Sequence, residues 1–358
     1  MHLYCWSDMA KSKEELMEVR EEDMRHERFI FPVGQGGFAG ERIGNYVVAF
    51  DCGSISSTSM VESCIDHVNR EIDHVDLLFI SHFDNDHVNG IRYLLSYTTV
   101  KKAVVSWIPQ ELRAAYGVYT NGAYTATMGL LRGDNVDVEE IGEEERDEKT
   151  YDIRKIWEWI AKSMMTTAEF NKIMANMRAA GIDVPKLTSD PFYLENQKEN
   201  VNAVFKDEFG AKGPNTKGLI MLSQKCAGAP KSATVIGIGC WRRCWPFDKR
   251  EFFDETSCLY VGDADLKNKA NNKLVKDFLN NHRWEQLLLM MQIPHHGSQY
   301  NIGSQFETDF LARYYYVNDI DTKRLQKNVN LFKSLTSQKN LMVSRGLCKD
   351  LIWTMTRF

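Results

Sequence analysis

The chain has 358 residues, of which 43% are hydrophobic and 26% charged, with a formal net charge of −5 at pH 7. This is the balance of a globular protein able to bury a large core, and no uninterrupted apolar run is long enough for a membrane span, so no membrane partner is expected. The charge also excludes a surface coated for nonspecific nucleic-acid binding, and eight cysteines without a CxxC pair exclude a disulfide scaffold or a zinc knuckle.

Residues 1–28 form a segment crowded with charge and lacking the apolar centre of a secretory signal, from which a cytoplasmic location is expected. From Phe29 onward, strand-like runs alternate with turns and amphipathic helices, the pattern of a layered α/β domain over 29–304. Asn45 to Phe50 predicts a strand closing on Asp51. Val61, Ile65, Val68 and Ile72 share one helix face capped by Ser57 or Thr58. Val75 to Ile80 is a continuous apolar run, as in a strand buried on both faces. Residues 109–213 read as a mainly helical insert or cap, with helices predicted over Ile153 to Met165 and Ala168 to Ala180, and Trp157, Trp159, Met164, Met174 and Met177 as packing residues. Further buried strands are predicted at Gly218–Leu222, Ala233–Ile238, Cys258–Val261 and Leu287–Ile293. A helix face is predicted at Leu266, Ala270, Leu274 and Phe278. Residues 305–358 form an extension that completes or packs on the core, with a strand around Tyr314-Tyr315-Tyr316.

The chemistry is concentrated after the Val75 strand, where Ile80 to Gly90 reads I-S-H-F-D-N-D-H-V-N-G. His82, Asp84, Asp86 and His87 would repel and desolvate one another unless a cation neutralised them, and a divalent metal is the economical explanation. The alternate spacing lets His82 and Asp84 face one centre while Asp86 and His87 face a second. Matching groups recur downstream: one predicted strand ends at Asp263 and another at His295-His296-Gly297-Ser298, so three strand ends converge on one pocket. His67, His74 and His282 read as surface, packing or helix-end residues, Gly34 to Gly40 as a hairpin, and Cys240 and Cys244 as small apolar side chains.

This order of a Gly-rich hairpin, a strand ending in Asp51, an H-x-D-x-D-H loop, a Gly-Asp-Ala strand end and a late His-His-Gly-Ser resembles the metallo-β-lactamase superfamily. More narrowly, Val33-Gly34-Gln35-Gly36, S-H-F-D-N-D-H, Asn215 to Leu222 and I-P-H-H-G-S resemble the hydrolase domain of ComEC-type DNA-uptake proteins and their free-standing relatives. The likeness covers roughly residues 29–110 and 213–304. It implies an αββα four-layer sandwich holding one or two divalent ions, zinc or manganese. It further implies that His82 and Asp84 serve a first metal, that Asp86, His87 and one of His295 or His296 serve a second, that Asp263 bridges, and that Asp51 orients the loop. Asp86, Asp263 and His87 are then the catalytic group, with Asp86 or Asp263 taking a proton and Ser298 or Asn301 contacting substrate oxygens.

Two departures stand out. Asp84 replaces the usual middle histidine of the loop, and no histidine occurs between His87 and His282 to supply the family's separate middle motif. The first position is therefore short of nitrogen and favours harder ions, with manganese or magnesium competing against zinc; Asn215 stands near the gap. The motif set favours a phosphodiesterase or nuclease, with Lys225, Lys231, Arg242, Arg243, Lys249 and Arg250 as a phosphate-binding rim. Hydrolysis of a small ester, lactone or thioester is the alternative, and a weakly catalytic subunit bound to a protein partner in a larger assembly is a third.

Overall fold

The computed structural model describes residues 26–31, 33–56, 58–69, 74–142, 147–210, 213–227, 234–238, 256–283, 287–318 and 341–344. Fourteen strands among them are β1 (His26–Ile30), β2 (Ala39–Ile43), β3 (Tyr46–Phe50), β4 (His74–Ile80), β5 (Thr99–Ser106), β6 (Asp137–Ile141), β7 (Glu148–Ile153), β8 (Trp157–Ser163), β9 (Leu219–Lys225), β10 (Thr234–Ile238), β11 (Cys258–Tyr260), β12 (Leu288–Gln292), β13 (Ala312–Asn318) and β14 (Leu341–Ser344). They form two seven-stranded sheets, ordered β10-β1-β2-β3-β4-β5-β6 and β14-β13-β12-β11-β9-β8-β7.

Three apolar layers hold these sheets together. Between them lie Phe50, Leu77, Phe79, Val104, Trp157, Trp159, Met221, Tyr260, Met290 and Tyr316. Outside the first sheet, Val61 and Ile65 of the helix Thr58–Asn69 pack with Leu78, Ile80 and the helices of the insert. Outside the second, Val275, Phe278 and Leu279 of the helix Lys269–His282 pack with Leu259, Met291 and Phe306. Strands whose two faces both meet apolar layers must be apolar throughout, which is why β4 and β9 are buried along almost their whole length. The result is the expected αββα sandwich.

Several expectations need adjusting. The stretch from Ile153 to Met165 is not a helix: it contains the end of β7 and the whole of β8, which pairs antiparallel with β9 from Trp157 opposite Lys225 to Ser163 opposite Leu219. Glu158 and Lys162, four apart, imitate the exposed side of a helix, but burial of Trp157, Trp159 and Ala161 against the facing sheet decides for a strand. The helix of the second half begins at Lys269, and its buried face is Asn271, Val275, Phe278 and Leu279, rotated by one residue from Ala270 and Leu274, with Leu266 ahead of its start. Thr167–Ala179 is helical as expected, opened by a capping box in which Thr166 and Glu169 satisfy each other's backbone N–H groups. Trp157, Trp159, Met164 and Met177 are buried packing residues and Met174 is partly buried. Residues 1–25, Ser57, Ile72, Lys231, Cys240, Arg242, Arg243, Cys244, Lys249 and Arg250 lie outside the described residues. No helix among the described residues is long and apolar enough to cross a membrane.

Candidate metal centre

Parallel pairing of β3 with β4, and of β11 with β12, carries four chain ends to one rim of the sandwich. Asp51 follows β3, Ser81 and His82 follow β4, Asp263 follows β11 and His295-His296 follow β12. Backbone contacts lock the loops. Cys52 N–H donates to the His87 carbonyl at 2.8 Å and Gly37 N–H to the Asp86 carbonyl at 2.8 Å, so the Gly-rich hairpin lies directly beneath the Asp86-His87 turn. A side chain at Gly53 would bring its Cβ within 2.7 Å of the Asp86 and His87 backbones, and one at Gly218 within 2.2 Å of the Ser81 carbonyl. Only glycine allows these approaches. Asp51, His295 and His296 all adopt positive φ, at 57°, 48° and 51°. Strained backbone of this kind persists where surrounding contacts over-determine it.

The hydrogen-bond pattern fixes how each imidazole presents itself. Ser81 Oγ donates to Asp51 Oδ2 at 2.7 Å and so accepts from His82 Nδ1 at 2.9 Å. His87 Nδ1 donates to Asp51 Oδ2 at 2.7 Å, and His296 Nδ1 donates to the Asn318 carbonyl at 2.9 Å. Each histidine uses Nδ1 for support, leaving the Nε2 lone pair for the centre.

These Nε2 atoms converge on Asp263 and Asp86. His87 Nε2 lies 3.3 Å from Asp263 Oδ1, His82 Nε2 lies 3.8 Å from Asp263 Oδ2, and His296 Nε2 lies 3.2 Å from Asp86 Oδ2 and 4.0 Å from Asp263 Oδ1. Asp84 Oδ2 is 3.9 Å from His82 Nε2, and His295 Nδ1 is 3.7 Å from Asp263 Oδ2. All seven ligand candidates read from the sequence are therefore gathered in one place.

His82 Nε2, His87 Nε2 and Asp263 Oδ1 are buried polar atoms that make no hydrogen bond. Buried polar groups are almost always satisfied, so aligned donors left bare around a shared point are the expected signature of a cation position. Two triads have ligand atoms close enough to share an ion: His82, His87 and Asp263, and Asp86, His87 and His296. The donor set fits a divalent metal.

The electrostatics agree. Burial disfavours a charged His87, yet Asp51 and Asp263 on either side raise its pKa well above the ordinary value. Burial likewise opposes the charged His296, but Asp86 and Asp263 raise it. Burial together with repulsion from His87 pushes His82 down to about 4. Against burial, the imidazoles of His295, His87 and His82 hold Asp263 well below its usual range, and His296 and His87 hold Asp86 at about 2. Without a metal the flanking imidazoles supply the positive charge that keeps the two buried carboxylates ionised, and a divalent ion would take that place by displacing their protons.

The remaining sequence-derived candidates divide. Asp51 is fully buried and holds both the Ser81 and His87 side chains. Ser298 is half-buried at the turn after the histidine pair, its N–H donating to the His295 carbonyl at 2.9 Å. Asn215 lies on the turn Pro214–Lys217, with its side chain outside the described residues. Asn301 is fully buried and donates from Nδ2 to the Asp263 carbonyl at 2.9 Å, so it supports the carboxylate's backbone rather than facing a substrate. Ser81, Gln292 and Asn318 were missed as site residues. Gln292 Oε1 accepts from both Val261 and Gly262 N–H at 2.8 Å, fixing the strand end just before Asp263. Ser81 adjoins the motif and was within reach of sequence reasoning. Asn318 acts through a backbone carbonyl, which carries no residue signature.

The described residues thus form two helix-covered sheets with the candidate site at the strand ends between them. Similar solved structures include a metallo-β-lactamase with a HARLDQ motif from Cronobacter sakazakii, at 12% identity over 86% of this chain and 91% of that one, with a TM-score of 0.33. A subclass B3 metallo-β-lactamase from a soil metagenome library is 11% identical over 87% of this chain and 96% of that one, with a TM-score of 0.34. The apo state of the chemotaxis sensor ODP from T. denticola is 19% identical over 36% of this chain, with a TM-score of 0.24, and the match spans about half that sensor's length, 46%. No protein-family model and no curated protein matches the chain. The reading of the centre rests on its own geometry.

Proposed function

We propose that the protein is a metal-dependent hydrolase, and that its substrates are phosphodiesters, nucleic acid among them. One observation carries the reading: three buried imidazoles, each held at Nδ1, leave their Nε2 atoms directed at Asp86 and Asp263. His82, His87, His296, Asp86 and Asp263 would hold the metal. A divalent ion in such a site supplies a Lewis acid and a water activated near neutral pH.

The chain's own groups do the positioning. Asp51 and Ser81 fix the rings of His82 and His87 as a unit, so that neither can rotate away without breaking a buried hydrogen bond. Asn301 and Gln292 set the backbone on either side of Asp263. Of the two carboxylates that would hold the metal, Asp86 is the more accessible, its side chain 13% exposed against 6% for Asp263. The phosphodiester preference comes from the likeness of the S-H-F-D-N-D-H and I-P-H-H-G-S segments to the ComEC-type hydrolase domain, together with the capacity of paired ions to stabilise both oxygens of an in-line displacement.

The test is incubation of the purified protein with manganese or zinc and labelled single- and double-stranded DNA and RNA, a chromogenic phosphodiester, and a panel of esters, thioesters and lactones. Metal-dependent cleavage of a nucleic acid or phosphodiester that disappears in Asp86→Ala and His87→Ala supports the proposal. Turnover confined to esters, thioesters or lactones would replace its substrate class, and metal binding with no turnover of any substrate would point to a non-catalytic subunit.

A further inference from the structure

The insert supplies none of the gathered ligands, yet it is built against the loop that carries them. Phe83, between His82 and Asp84, is buried and stands edge-on to two insert tyrosines, its ring centroid 4.9 Å from that of Tyr124 and 6.3 Å from that of Tyr116. The loop is thus gripped at the residue that separates two candidate ligands.

The helix Arg113–Tyr119 carries Tyr116 and Tyr119 three residues apart, and so on one face. Tyr116 is buried, whereas Tyr119 is half-buried, its ring held 4.9 Å from that of Phe205. The Tyr119 hydroxyl lies over Gly213, whose backbone is left-handed with φ of 69°, and a Cβ there would collide with it. Gly213 opens a turn that runs on to the centre: a Cβ at Gly218 would come within 3.2 Å of His82 Cβ, and Leu219 N–H donates to the Ser81 carbonyl at 2.6 Å. Burial, and after it the Asp84 carboxylate, push the Tyr119 hydroxyl up to about 12, so it lies within the field of Asp84 and stays protonated at neutral pH. Among the described residues this hydroxyl makes no hydrogen bond.

We propose that Tyr119 is a substrate-binding residue whose hydroxyl donates to a non-bridging oxygen of a phosphoryl group bound on the Asp84 side of the centre. This deepens the phosphodiester reading and rests on it. Asp84 marks the open edge of the cluster, its side chain 35% exposed against 1% for His82, so a substrate arrives past Asp84 and the Gly213–Gly218 turn. Other donors nearby are already engaged. The Ser81 hydroxyl is held between Asp51 and His82, Asn301 Nδ2 donates to the Asp263 carbonyl, and Lys217, on the same turn, is tied to Glu169 of the helix Thr167–Ala179. A protonated, unengaged hydroxyl beside a concave polar site is the kind of group that orients a ligand.

The experiment measures binding of inorganic phosphate to the manganese-loaded full chain by calorimetry, alongside turnover of a chromogenic phosphodiester. Tyr119→Phe deletes only the donor. It is expected to weaken phosphate at least about tenfold and to lower kcat/KM for the phosphodiester by the same factor, carried by KM. Manganese affinity and the melting temperature of the metal-stripped chain should stay as in wild type. Tyr124→Phe is the control, because Tyr124 packs on the same Phe83 ring but responds to the charges of Arg113, Glu140 and Arg132 and not of Asp84; its phosphate affinity should match wild type. Unchanged phosphate affinity in Tyr119→Phe, an equal loss in Tyr124→Phe, or no phosphate binding by manganese-loaded wild type overturns the inference. Phosphodiester turnover undiminished in Tyr119→Phe would also overturn it while leaving the hydrolase reading in place. Phosphate binding that depends on Tyr119 in a wild type that hydrolyses nothing would keep this assignment and remove the hydrolase reading.

Discussion

Ser81 and Asp51 illustrate how much of the centre depends on groups that touch no ion. The Ser81 hydroxyl donates to Asp51 Oδ2 and accepts from His82 Nδ1, while its N–H donates to Asp51 Oδ1 at 2.7 Å. Removing the hydroxyl in Ser81→Ala frees the His82 ring and leaves Asp51 one donor short. Metal affinity should fall about 10- to 100-fold with the fold intact, as read by competition against a chelating dye; an unchanged affinity would show that the tautomer is set elsewhere. At this scale the sequence was most informative where ligands are contiguous, as in His82 to His87, because spacing within a loop is visible directly. It could not show that His295 and His296 diverge, since that follows from two left-handed residues in succession, nor that Asn318 and Gln292 hold the site through contacts 22 and 31 residues away.

At the scale of elements, the site is made by turns packed on turns. Gly53 lies against the backbone of Asp86 and His87, where an added Cβ would approach to 2.7 Å. Gly53→Ala must therefore push the metal loop outward, at a cost of about 1–3 kcal/mol in urea unfolding together with weakened metal binding. A contrasting change is Thr166→Ala, which removes the capping box of Thr167–Ala179. It should cost about 1 kcal/mol and leave metal affinity as it was, because it acts on the insert and not on the loop. Strands β4 and β9 were legible because continuous apolar runs betray burial on both faces. Strand β8 was not, because Trp157, Trp159 and Ala161 owe their alternation to a facing sheet, while Glu158 and Lys162 keep a helical spacing.

Across the whole molecule, a charged network lies buried between the sheets, far from any sequence motif. Glu41 on β2 accepts from Arg28 Nε at 2.7 Å, Trp159 Nε1 at 2.9 Å, Tyr260 OH at 2.8 Å and Ser223 Oγ at 2.5 Å. His26 on β1 lies 3.6 Å from the same carboxylate and packs at a tilt against Trp157, with Glu27 and Arg28 on its own strand and Cys258 nearby on β11. Burial opposes ionisation of Glu41, but Arg28 outweighs it and holds the carboxyl far below 4.5. Burial and Arg28 lower His26 from 6.5, although Glu41 pulls the other way. Both groups bind protons more readily in the unfolded chain, so both make stability fall with falling pH: His26 below about 6.5 and Glu41 below about 4.5. The acid-side loss of unfolding free energy should therefore be shallower in His26→Leu than in wild type between those pH values, a difference that isolates His26 from the histidines of the centre. Glu41→Gln strands the Arg28 charge in the core and should cost about 3–5 kcal/mol.

The claim on which the rest depends is that Asp263 and the surrounding imidazoles hold a divalent cation in the folded protein. Thermal melting of the chelator-treated chain, repeated with manganese or zinc at a hundred times the dissociation constant, tests it directly. Binding to the native state alone should raise stability by about 2.7 kcal/mol at that concentration and move the midpoint accordingly, while Asp263→Ala should show little or none of the shift. A midpoint indifferent to metal, or a shift of equal size in Asp263→Ala, would contradict the account.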